Sequence, residues 1–156
     1  MKRMVLAGLV MVGGCWPATP PVTMEIHVSP SVSASYWEAI EDGARYWEDQ
    51  TGVEFVTEIV FESPRTTTSA GVVVIEQVSD LGGFVAHATP ENGGCRVRLT
   101  DNPRHTDVAT VAHELGHCLG LDHVEDRRNV MYGVHWVGAP FEANAEQIEY
   151  LRGWVL

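Results

Sequence analysis

The feature that most constrains this chain is the stretch His113-Glu114-Leu115-Gly116-His117-Cys118-Leu119-Gly120-Leu121-Asp122-His123, which reads H-E-x-x-H-x-x-G-x-x-H. Two histidines four apart lie on one face of a helix, so both imidazoles can reach one cation. Glu114 can face the same cleft. Gly120 lets the backbone leave the helix through a positive-φ turn, and His123 can then fold back as a third ligand. Neutral imidazole suits zinc, and three protein ligands leave a fourth position open for water, the mark of a catalytic site. The expectation is one catalytic Zn2+ on His113, His117 and His123, with Glu114 as general base.

Such a helix needs a body to pack on. Val108, Val111, Ala112, Leu115 and Leu119 form one apolar stripe, nearly opposite His113 and His117. Thr106 or Asp107 can cap the helix. Upstream, Met24 to Ser29 alternates as a half-buried strand, with His27 on its polar side. Ser33 or Ser35 can cap a helix to about Gln50, with Tyr36, Trp37, Ile40, Ala44 and Trp47 inward, and Thr51-Gly52 ends it. Val53 to Phe61 reads as a second strand, Glu62 to Ala70 as a loop, and Gly71 to Val78 as a strand buried on both faces. Phe84 to Ala88 reads as a short strand closed by Thr89-Pro90, and Cys95 to Thr100 as a fifth. Asp101 to His105 and Val134 to Pro140 read as loops. Phe141 to Trp154 reads as a final helix with Ile148, Leu151 and Trp154 on one side. The fold class is therefore α+β: a twisted five-stranded mixed sheet with an N-terminal, an active-site and a C-terminal helix.

Composition adds where such a domain works. The chain has 156 residues and 45% hydrophobic content, enough for one domain with a core. Lys2 and Arg3 precede the apolar run Met4 to Val12, which is too short to span a bilayer. Val12-Gly13-Gly14-Cys15 resembles a bacterial lipobox, which would make Cys15 the lipidated first residue of the mature protein; an ordinary secretory leader with an incidental cysteine is the alternative. The expected organisation is a signal peptide over 1–15, a Pro-rich tether over 16–23 and one catalytic domain over 24–156. The protein is then exported, to the cell envelope if lipidated. Without Lys2 and Arg3, eight arginines face 21 acidic residues, a balance that repels nucleic acid and anionic membrane. Membrane contact is expected only through the lipid. In an oxidising compartment Cys95 and Cys118 can pair, bridging strand and helix for about 3 kcal/mol, or stay as two buried thiols.

At this point the chain resembles a metzincin zinc metalloprotease, nearest to the matrixin branch. Val111-Ala112-His113 through His123 is close to that family's wording, and Met131 follows His123 at the matrixin interval. The resemblance implies that Met131 forms the floor of the site without ligating. Gly82 to Pro90 is similar to the matrixin edge strand, which pairs with substrate backbone. That implies a peptide or protein substrate lying against Phe84, Val85 and Ala86. The chain also departs from the family. His87 has no H-x-D partner upstream, so a structural zinc is not expected and His87 reads as an edge-strand surface residue. The family's P-x-Y segment is replaced by Gly133-Val134-His135, so substrate preference does not transfer. Tyr132 receives no catalytic role, and His105 and His135 fall outside the ligand spacing. The expected protein is a monomeric zinc endopeptidase without the family's prodomain. The competing reading is a lipid-anchored zinc module that binds extended peptides without cutting them, for which Glu114 would have no use.

Overall fold

The computed structural model describes residues 23–59, 68–101, 107–133 and 142–153. Cys15, the leader, most of the tether, His105 and His135 lie outside the described residues. Strands β1 (Thr23–Val28), β2 (Glu54–Ile59), β3 (Val72–Val78), β4 (Ala86–Glu91) and β5 (Gly94–Thr100) form a sheet in the order β2-β1-β3-β5-β4. The first three pairings are parallel, and β4 runs antiparallel to β5 at the edge. Helices α1 (Trp37–Thr51), α2 (Val108–Cys118) and α3 (Ala145–Arg152) complete the α+β architecture that the sequence predicts.

The core lies between sheet and helices. Ile26, Val73, Ile75, Val97 and Leu99 of the sheet share one buried cluster with Ile40 and Trp47 of α1 and with Val111, Ala112, Leu115 and Leu119 from the α2 region. β3 lies between β1 and β5, which explains its continuous apolar run Val72 to Ile75. α1 and α2 cross closely at Gly43, where a Cβ would come within 3.1 Å of the Ala112 nitrogen. The Trp47 indole donates a 2.7 Å hydrogen bond to the Ala112 carbonyl, tying the helices together there. Trp37, at the margin of the α1 stripe, is 40% exposed rather than inward.

Three further expectations are corrected. His27 is buried, not solvent-facing. β1 is an inner strand, and its polar-side neighbours Val72 and Val74 on β3 are buried too. Alternation in sequence identifies a face without saying whether water reaches it. Second, the edge strand runs from Ala86 to Glu91, not from Phe84 to Ala88. Gly82 and Gly83 take positive φ, and the Phe84 N–H bonds the Leu81 carbonyl, so Phe84 belongs to a turn. The Thr100 N–H bonds the Val85 carbonyl at 3.0 Å, which sets the antiparallel phase. Residues 85, 87 and 89 turn their backbone groups to β5, while 86, 88 and 90 face the open edge. Pro90 fits inside the strand because its missing N–H falls on that open side.

Third, α3 starts at Ala145, not Phe141. Asn144 caps it in a reciprocal box with Gln147, and Glu142 is spent on backbone bonds to Arg128 and Val130. Its inner face carries Leu151 and the buried amide of Gln147. Thr106 and Trp154 lie outside the described residues.

Candidate metal centre

α2 begins where the Asp107 carboxylate accepts a 2.8 Å bond from the Thr110 N–H. It ends in a Schellman turn: the Leu121 N–H reaches the Gly116 carbonyl at 3.0 Å, and the Gly120 N–H reaches that of His117 at 2.9 Å. Gly120 supplies the left-handed residue at φ 83°. The reversal returns the chain so that His123 meets the two helical histidines.

The three Nε2 atoms form a triangle with sides of 3.1 Å. Two of the rings are oriented by main-chain carbonyls. His113 Nδ1–H donates to Val130 at 2.7 Å, and His117 Nδ1–H donates to Leu121 at 2.7 Å. A carbonyl can only accept, so the proton sits on Nδ1 and the Nε2 lone pairs converge. Converging lone pairs repel unless a cation lies among them. Imidazole nitrogens at about 2.0–2.1 Å from one tetrahedral ion would stand roughly 3.3 Å apart. The donor set therefore fits a zinc ion, and among the described residues these three form the group able to hold one. Burial holds the His117 imidazole below its ordinary pKa, which keeps it in the neutral, ligating form.

Glu114 is 6% exposed and lies in the same cleft. Burial pushes its carboxyl up to about 7, partly opposed by a backbone hydrogen bond from Ala88 of the edge strand. This value belongs to the metal-free site; a cation held by the neighbouring histidines would draw the carboxyl back towards its ionised form, ready to take a proton.

The cleft, of about 400 Å³, runs between α2 and β4. Phe84, Val85 and Ala86 line it, with Phe84 67% exposed at its lip. His87 lines it as well and is exposed, as expected of an edge-strand residue. Met131 is fully buried beneath α2, where its sulfur touches Gly116, which lies between the two helical histidines. Cys118, next to His117, is joined to Cys95 of β5 in a disulfide with a Cα–Cα distance of 5.4 Å.

Several contributors escape a sequence reading. The carbonyls of Leu121 and Val130 leave no mark in residue identity. Thr110 lines the cleft beside Glu114, and Gly133 passes so close to His123 that a Cβ would sit 3.2 Å from its Nδ1. Asn129, two residues before Met131, carries no sequence signal beyond that of a common turn residue. Among the described residues no helix is long and apolar enough to cross a membrane.

A family model for matrixins matches residues 16–144. Human matrix metalloproteinase-26 is 29% identical over 82 residues, covering 46% of this chain and 31% of that protein. The chain thus spans under a third of the length of this curated relative.

Proposed function

Since this chain belongs to the matrixin family, we propose that it is a zinc-dependent endopeptidase with His113, His117 and His123 as ligands and Glu114 as general base. The observation that carries the reading is the 3.1 Å triangle of Nε2 lone pairs beside a buried carboxyl. Bound zinc supplies Lewis acidity, lowering the pKa of a water molecule and polarising a carbonyl. Glu114 takes the proton of the attacking water and returns it to the leaving amine. Its carboxyl is buried in the cleft that the histidines line.

The substrate is an extended peptide lying along β4. The outward backbone groups of Ala86 are available for pairing, and the aromatic face of Phe84 borders the cleft. Val85 supports this strand from within, because its carbonyl accepts from both the N–H and the hydroxyl of Thr100. The protein acts as an exported monomer, held to the cell envelope through lipid on Cys15.

The test is digestion of a diverse peptide library by the zinc-loaded protein, with and without a chelator, and by Glu114→Ala. Cleavage that chelator abolishes, and that Glu114→Ala loses by several orders of magnitude while still holding zinc, is the expected result. Zinc-dependent peptide binding without cleavage would favour a binding module instead. Wild-type turnover in Glu114→Ala would refute the assigned base.

A further inference from the structure

We infer that Asn129 and Gln147 are positioning residues that couple helix α3 to the metal centre, setting the carbonyl that orients His113. The inference rests on the reading of the three histidines as ligands. Asn129 and Gln147 are 4% and 8% exposed, and each uses its amide in two directions. Asn129 Oδ1 accepts from the Met131 N–H at 2.8 Å, while its Nδ2 donates to Gln147 Oε1 at 2.9 Å. Gln147 Oε1 also accepts from the Asn144 N–H at 3.1 Å, and Asn144 Oδ1 accepts from the Gln147 N–H at 2.9 Å. The Tyr132 N–H bonds the Asn129 carbonyl at 3.0 Å, so main chain and side chain of Asn129 together close the turn 129–132.

Val130 is the first of the two central residues of that turn. Its N–H is held by the Glu142 carbonyl at 2.9 Å, and its own carbonyl receives His113 Nδ1–H at 2.7 Å. The direction of this carbonyl fixes both the tautomer and the ring plane of the first ligand. A continuous path therefore runs from the α3 cap through two buried amides to His113. An apolar pair could hold α3 to the body equally well, with no buried polar atoms to satisfy. What an apolar pair cannot do is bind the Met131 N–H and define the turn.

The experiment compares Asn129→Ala, Gln147→Ala and Asn129→Asp with the parent chain, and uses His123→Ala as a control. Zinc affinity is measured by chelator competition, the cobalt-substituted site by its visible absorption, and the metal-free fold by circular dichroism and melting. Asn129→Ala should fold, bind zinc roughly 10- to 100-fold more weakly and show an altered cobalt spectrum. Gln147→Ala should shift both readouts in the same direction by less. Asn129→Asp should recover part of the lost affinity, because its carboxylate still accepts from the Met131 N–H, while turning the Gln147 amide to donate costs the Asn144 N–H its side-chain acceptor. Should Asn129→Ala fail to fold, Gln147→Ala and Asn129→Asp carry the comparison. A lower melting temperature with unchanged zinc affinity and cobalt spectrum in either alanine variant overturns the inference, leaving these residues as braces only. Unchanged zinc binding in His123→Ala would instead defeat the ligand assignment, a separable failure.

Discussion

Gly116 offers a sharp test of how the floor of the site is packed. A Gly→Ala change inside a helix ordinarily stabilises by about 1 kcal/mol through lower backbone entropy. Here the new Cβ would overlap Met131 Sδ and come within 3.0 Å of Trp47 Cζ2 and 3.2 Å of Met131 Cε. Neither neighbour can step aside into solvent, since both are fully buried and the Trp47 indole is bonded to the Ala112 carbonyl. Overpacking at such a site costs up to about 3 kcal/mol. The propensity gain offsets about a third of that, so Gly116→Ala should destabilise by about 2 kcal/mol. At roughly 2–4 °C per kcal/mol for a domain of this size, the metal-free protein should melt about 4–8 °C lower. Pushing Met131 down also displaces the turn carrying the Val130 carbonyl, so zinc affinity should fall along with stability. Melting of metal-free and zinc-loaded protein, with chelator competition on the same samples, reads both effects. A melting temperature raised by a few degrees, with zinc affinity unchanged, would mean that the space under α2 has slack and that the packing argument fails.

Two further outcomes follow from the same geometry. Replacing Cys95 and Cys118 together by serine removes a link closing a loop of 23 residues, and should cost about 3 kcal/mol in equilibrium unfolding. Because both sulfurs are buried, mild reductant should leave the folded protein unchanged until it opens, which a thiol-labelling time course checks. For the metal-free protein, Glu114 makes stability fall as pH rises. The carboxyl is neutral in both states below its ordinary value of 4.5, and the folded state keeps the proton up to about pH 7. Between these limits the native protein binds more protons than the unfolded chain, so up to about 3 kcal/mol is lost across that window. His117, depressed by burial, contributes a slope of the opposite sign. The difference between the parent and Glu114→Gln therefore isolates the carboxyl, and identical pH–stability curves for the two would contradict the burial argument.

What could be read from the sequence is what periodicity and spacing encode. The helix carrying His113 and His117, its exit at Gly120 and the buried run Val72 to Ile75 follow from such patterns, whereas Met131 as the floor of the site is implied only by the family resemblance. The failures have a common physical origin. Alternation gives the side of the strand on which His27 lies, while its burial depends on strands that arrive later in the chain. The side chain of Phe84 suits an edge strand. The left-handed Gly82 and Gly83 and the phase of the β5 ladder decide otherwise. Pro90 reads as a terminator in sequence, because an edge can be recognised only once its partner strand is known.

The same reasoning explains why the ligands were legible while their support was not. Metal binding selects side chains, so histidine identity and spacing carry the signal. Orientation of those histidines is delegated to main-chain carbonyls, which every residue possesses, at Leu121 and Val130. Each carbonyl is then fixed by a different device. The Leu121 carbonyl follows from the Schellman turn, whose glycine is part of the visible motif. The Val130 carbonyl depends on Asn129, Gln147 and α3, which lie far from the motif in sequence and look like ordinary polar residues. Substitutions at Gly120 should therefore disturb His117 and the return to His123 directly. Substitutions along α3 should act only through His113, and the two sets should combine additively in zinc affinity unless the imidazoles themselves couple them.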